Sequence, residues 1–117
     1  MSVTDPPLFV LWYEFTKWLL NRTAKFPKNI RFTFSQRIDN LALDIVQDLA
    51  AARYALRKSE LLTTVNLKLD QMRVLLRLCH DLAHLDHKAY QHAARQIDEA
   101  GRMLGGWRKQ RADKEMG

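Results

Sequence analysis

His80, His84, His87 and His92 lie close together late in the chain, with Asp81 and Asp86 among them. Imidazole and carboxylate groups bind transition metals and carry protons, so this cluster is the first place to look for chemistry. The run His80-Asp81-Leu82-Ala83-His84 would put two imidazoles at i and i+4 on one helix face, as a zinc site needs. A zinc-hydrolase helix also needs Glu directly after the first His, and that position holds Asp81. Histidines beside a helix end also serve as caps and dipole partners. The expectation is that there is no metal site and no cofactor.

Arg73 and Arg77 each precede a histidine by seven positions, namely His80 and His84. That spacing resembles the Arg-x(4–6)-His motif of HEPN ribonucleases, which are small helical bundles. There, Arg and His would stabilise a phosphorane and move a proton during RNA cleavage. Ion pairing offers a plainer use for the same arginines, because Asp70 stands at i−3 of Arg73 and Asp81 at i+4 of Arg77.

Other reactive residues are placed where packing accounts for them. Cys79 falls on an apolar stripe, where a thiol is buried and inert. Gly101-x-x-x-Gly105-Gly106 lacks the strand setting and the Lys-Ser/Thr of a phosphate loop, so close helix approach or fraying is its expected role. Trp12, Trp18 and Trp107 could stack bases, yet aromatic residues in a bundle belong to its core. Asp39, Asp44 and Asp48 share one side of a helix and are read as a solvated face. No catalytic set survives, and the chain is read as a non-enzyme.

Charge points elsewhere. The 117 residues carry 19 Lys and Arg against 13 Asp and Glu, a formal net charge of +6. No acid stands between Glu14 and Asp39, whereas that stretch holds Lys17, Arg22, Lys25, Lys28, Arg31 and Arg37. Those six cations equal the whole excess. Unpaired cations of this kind can release counterions from phosphates, so these six are the candidate nucleic-acid-binding residues. A second basic cluster, Arg108, Lys109, Arg111 and Lys114, lies in the tail.

The elements that position these groups read as helices throughout. Thr4-Asp5-Pro6 supplies a cap and a first-turn proline for a helix carrying Leu8, Leu11, Trp12, Phe15, Trp18 and Leu19. Phe26-Pro27 breaks it, because the residue before proline is pushed out of the α region. A second helix carries Ile30, Phe34, Ile38, Leu41, Ile45, Leu49, Ala52 and Leu56, with a capping-box spacing at Thr33 and Gln36. Ser59 is the expected cap of a third helix, whose buried stripe is Val65, Leu69, Met72, Leu76, Cys79 and Ala83. Asp86 caps a fourth, carrying Tyr90, Ala93, Ala94, Ile97, Ala100, Leu104 and Trp107. Short connections make sequential helices antiparallel. The fold is therefore expected to be all-α, an up-down antiparallel four-helix bundle, with one domain over residues 1–108 and a fraying basic tail over 109–117.

The third helix carries a second apolar stripe. Leu67, Val74, Leu78 and Leu85 are separated by seven, four and seven residues and would fall within roughly 20° of one direction, nearly opposite the buried stripe. One bundle buries one face of each helix, so these four are the candidate oligomer interface. No apolar run approaches the ~18 residues of a membrane span. The start MSVTDPPLF lacks the basic region of a signal peptide, and the single Cys79 excludes a disulfide framework. A cytoplasmic protein with no membrane partner is expected.

Whole segments also resemble a known family. Trp18-Leu-Leu-Asn-Arg-Thr-Ala-Lys-Phe-Pro27 and Arg31-Phe-Thr-Phe-Ser-Gln-Arg-Ile38 resemble the accessory variability determinant (Avd) proteins of diversity-generating retroelements. Ala52-Arg-Tyr-Ala55, Asn66-Leu, Arg77-Leu and Gly101-Arg-Met-Leu-Gly-Gly-Trp107 extend the likeness over about residues 9–108. More distant kin are the four-helix proteins encoded in 23S rRNA intervening sequences, which share the Phe-Pro-Lys hinge. The Avd resemblance implies a basic four-helix bundle that assembles as a barrel-shaped homopentamer. It further implies binding to the element's reverse transcriptase and template RNA in support of mutagenic cDNA synthesis, without catalysis by the protein itself.

Overall fold

Proline marks both boundaries of the first helix. Pro6 and Pro7 start α1 (Pro7–Thr23), and Phe26-Pro27 follows its end. The computed structural model describes residues 5–116, so Thr4 lies outside the described residues, and the expected Asx-type cap does not form at the start of α1. The cap position falls on Pro6, while the carboxylate of Asp5 meets the Arg53 guanidinium at 2.6 Å.

After Pro27 the chain makes a 3₁₀ turn (Lys28–Ile30) and a π-helical turn (Arg31–Ser35) that runs directly into α2 (Gln36–Ala52). The expected capping box does not form. The backbone N–H of Gln36 is already used on the carbonyl of Arg31, and Thr33 Oγ1 donates back to the carbonyl of Ile30 at 3.3 Å. Leu56 does not continue the buried stripe of α2, because the helix ends at Ala52 and Leu56 stands fully exposed in the following loop. Arg53 ties that loop to α1 by lying 4.9 Å over the ring of Phe9 while pairing with Asp5.

α3 (Lys58–Asp81) starts one residue before the expected cap, so Ser59 sits in its first turn and its carbonyl accepts from Thr63. The C-terminus of α3 is a Schellman turn. His84 N–H donates to the carbonyl of Cys79 at 2.9 Å, and Ala83 N–H to that of His80 at 3.0 Å. This turn puts Ala83 at φ 65°, the left-handed region. Ala83 therefore leaves the buried stripe, and the chain turns Leu85 into the core at 4% exposure. Asp86 caps α4 (His87–Met116) as expected, accepting from Ala89 N–H at 2.8 Å.

Each helix packs on the next, and α4 closes on α1. With connections this short, neighbours run antiparallel. The particle measures 50 × 26 × 23 Å. Trp12 is fully buried, and its indole N–H reaches the carbonyl of Ala42 at 3.0 Å, so its one polar group is satisfied. Ile38, Ile45, Leu49, Leu62, Leu69, Met72, Leu76, Ile97 and Leu104 belong to the same core, each contributing about 1.5–3 kcal/mol by leaving water. The buried Ala93 and Ala100 keep the inner face of α4 small, which lets it approach closely. The chain is an all-α four-helix protein.

Candidate nucleic-acid interface

The antiparallel order brings the hinge after α1 and the turn after α3 to the same end of the bundle. Ring contact joins them, with Phe34 and His84 at 5.9 Å between centroids. Neutral and cationic groups thus gather where the acid-free segment folds back on itself.

The six cations of that segment are not equivalent. Lys17 pairs with Glu14 at 3.1 Å and lies 5.8 Å over Tyr13, so its charge is partly spent. Arg22 stacks its guanidinium 5.5 Å over Trp18 in the last turn of α1. Lys25, Lys28 and Arg31 are exposed along the hinge. Arg37 is also exposed but faces away from the hinge, lining the groove between α2 and α3 beside Asp44 and Asp70. None of these last five has an ion-pair partner among the described residues. Unpaired charge is what phosphate binding needs, and Arg22, Lys25, Lys28 and Arg31 hold it together at one end.

Between the end of α1 and the start of α2 lies a cleft of about 550 Å³, lined by Lys28, Arg31, Phe32, Gln36, Asp39 and Asn40 among others. Asp39 accepts from Thr23 Oγ1 at 2.5 Å. Burial pushes its carboxyl above the usual range, and the Thr23 hydrogen bond works in the opposite direction. Of the three aspartates read as a solvated face, Asp44 is exposed as expected, whereas Asp39 and Asp48 are half-buried and paired. Asp39 ties α2 to α1, Asp48 bridges to Lys68 of α3 at 2.6 Å, and Asp44 lines the α2–α3 groove.

The histidines do not form the i, i+4 pair that the spacing suggested. α3 ends at Asp81, so His84 stands beyond the left-handed Ala83 and off the helix. His80 instead meets His87 across the turn, Nε2 to Nδ1 at 3.3 Å, and stacks on Tyr90 at 4.5 Å. His92 packs against Trp18 at 4.6 Å. Among the described residues no three His, Cys, Asp or Glu are grouped to hold a metal ion. Cys79 is buried, and burial pushes its thiol up to about 11, as an inert core cysteine requires.

The arginines of the ribonuclease-like spacing are also committed differently. Arg73 pairs with Asp70 at 2.6 Å, as its i−3 position suggested, and reaches across to Asp98 of α4 at 3.5 Å. Asp81, offered as a partner for Arg77, lies 3.6 Å from His80 Nδ1 instead.

Along α3, Leu67, Val74 and Leu78 are 58%, 65% and 45% exposed and face solvent together, whereas the buried Leu85 is not part of that surface. Leu82, at the end of α3, takes its place in the stripe. Apolar spacing alone carries the helix on through this turn, whose only local signal is a short His-Leu-Asp sequence. Phe32, an exposed aromatic inside the hinge, is hidden in the same way, because the run from Ile30 to Ile38 reads as an ordinary helix.

A family model described as bAvd-like matches residues 10–111, from the first turn of α1 into the last turns of α4. No curated protein matches the chain.

Proposed function

The chain belongs to the bAvd-like family, and from that premise we propose that it is a non-catalytic accessory subunit of a diversity-generating retroelement. In this role it self-associates, binds template RNA, and docks the element's reverse transcriptase in the cytoplasm to support mutagenic cDNA synthesis. No described helix is long and apolar enough to cross a membrane, and the reading requires none. The observation that carries nucleic-acid binding is the cluster of cations at the hinge end, Arg22, Lys25, Lys28 and Arg31, which have no ion-pair partner among the described residues. Self-association would multiply that charge and turn weak single-chain contacts into tight binding.

The test is a salt titration. Replacing Arg22, Lys25, Lys28 and Arg31 by Gln should weaken binding to single-stranded RNA of any sequence. It should also flatten the log–log salt dependence by about 0.7 for each phosphate that is no longer neutralised. All four lie in or beside the hinge at exposed or half-buried positions, so the helical circular dichroism should persist. A folded variant that binds with unchanged affinity and slope would overturn the reading. Throughout, the RNA should remain intact, with or without divalent metal.

A further inference from the structure

Phe32 is 78% exposed on the π-helical turn, although its neighbour Phe34 is turned inward against the core. A π turn widens the helix by one residue and recurs at functional sites. Here it leaves the Phe32 ring standing at the cleft of about 550 Å³ between α1 and α2, which the half-buried Phe26 also lines and which is within the size range of small-ligand sites. Lys28 and Arg31 line the same cleft and carry no ion pair among the described residues. Gln36 and Asn40 add side-chain amides, each able to donate and to accept. Asp39 also lines the cleft, with Oδ1 taken by Thr23.

From these groups we infer that the hinge cleft takes one unpaired nucleotide, its base stacked on Phe32 and its flanking phosphates held by Lys28 and Arg31. The inference rests on the nucleic-acid reading above and narrows it to single-stranded RNA. An exposed aromatic ring and two unpaired cations lining one cleft match a ligand with a neutral planar part flanked by anions. The carboxylate of Asp39 repels a phosphate placed inside the cleft but not a base, so the phosphates belong at the rim. In a duplex each base face is covered by the next base pair, and Phe32 has nothing to stack on. The amides of Gln36 and Asn40 accept and donate alike, so the cleft holds any base without selecting one. A second copy of this chain that met the cleft through its own hinge would bring the same cations against it, and like charges repel.

The experiment measures fluorescence anisotropy with a labelled single-stranded RNA of about twelve nucleotides and with a duplex of the same sequence. Phe32→Leu keeps an apolar side chain at an exposed position but removes the aromatic face. It should bind the single strand about tenfold more weakly and the duplex within about twofold of wild type. Phe32→Tyr should restore single-strand binding, and light scattering should give Phe32→Leu the mass of wild type. Unchanged single-strand binding by Phe32→Leu overturns the inference, as does an equal loss on both probes or a fall in mass. If the four-residue Gln variant loses binding while Phe32→Leu does not, the stacking site fails and the nucleic-acid reading stands. If neither variant loses binding, both fail.

Discussion

The guanidinium of Arg73 on α3 occupies the space beside Gly101 on α4 where any other residue would place its side chain. A Cβ built on Gly101 would come within 2.7 Å of Arg73 Nη2. From that position Nη2 donates to the carbonyl of Ile97 at 3.4 Å while the rest of the group meets Asp70 and Asp98. One arginine therefore ties two helices together, and the glycine makes room for it.

Three glycines on one helix give this arrangement an internal control. Gly105 and Gly106 have nothing within 4 Å of where a Cβ would stand. Alanine at either should therefore stabilise by about 0.8–1 kcal/mol, the helix-propensity difference. Gly101→Ala gains the same propensity but pushes aside the far end of the Arg73 side chain, losing a long hydrogen bond of about 1 kcal/mol. Its net change should be close to zero, and with Arg73→Ala already present it should stabilise like the other two. Urea unfolding at one protein concentration measures these variants together with Arg73→Ala alone. A Gly101→Ala gain as large as that of Gly105→Ala would show that the contact contributes nothing.

Thr23 and Asp39 predict a pH effect. The Thr23 hydroxyl has one proton and two acceptors within reach, the carbonyl of Leu20 at 3.2 Å and Asp39 Oδ1 at 2.5 Å. An ionised Asp39 claims that proton; a protonated one donates its own and frees Thr23 for Leu20. Burial already raises the Asp39 carboxyl above its ordinary value, with the Thr23 bond lowering it. A raised folded pKa means that the stabilisation from this group is complete below the unfolded value near 3.9 and is lost as pH rises through the folded value. Asp39→Asn stays neutral and donates to Thr23 at every pH. It should be more stable than wild type at pH 7 and equal to it near pH 3. The π turn occupies the first N–H of α2, so the helix dipole gives the charged form little compensation. Thermal unfolding across that range checks the sign, and a less stable Asp39→Asn at pH 7 refutes it.

How much of this was legible in the sequence depends on how local the signal is. The periods of Leu8 to Leu19, Ile38 to Leu49, Val65 to Cys79 and Ala93 to Leu104 marked the four helices, because burial imposes the spacing directly. The cap at Asp86 was legible because its partner Ala89 is three residues away. Contacts between helices were not. That Arg53 reaches Asp5, that Asp48 reaches Lys68, and that Arg73 lies against Gly101 follows from packing, which no spacing within one helix encodes. The end of α3 was overrun because Ala83 adopts a conformation for which glycine is the usual signal. The exposure of Phe32 follows from a π turn, which shifts the register by one residue and leaves the composition unchanged.

The corrected apolar stripe carries the last prediction. Leu67, Val74 and Leu78 project together from the outer face of α3, and Leu82 extends them at its end. Val74 also lines the groove between α2 and α3 with Leu41 and Leu75, where Arg37, Asp44 and Asp70 border the apolar residues. The bundle buries the opposite face of α3, and no further helix among the described residues covers this one. If the face is covered by other copies of the chain, each leucine so buried contributes about 1.5–3 kcal/mol to association. Changing Leu67 and Leu78 together to Glu replaces that contribution with two charges that would be costly to bury. Both side chains are exposed within one chain, so the variant should keep its helical circular dichroism while dissociating to monomers. Changing Leu85 to Glu, by contrast, should unfold the bundle, because that side chain belongs to the core. Light scattering at micromolar concentration distinguishes these outcomes. A monomeric wild type, or a Leu67→Glu, Leu78→Glu variant with the mass of wild type, removes the stripe as an interface.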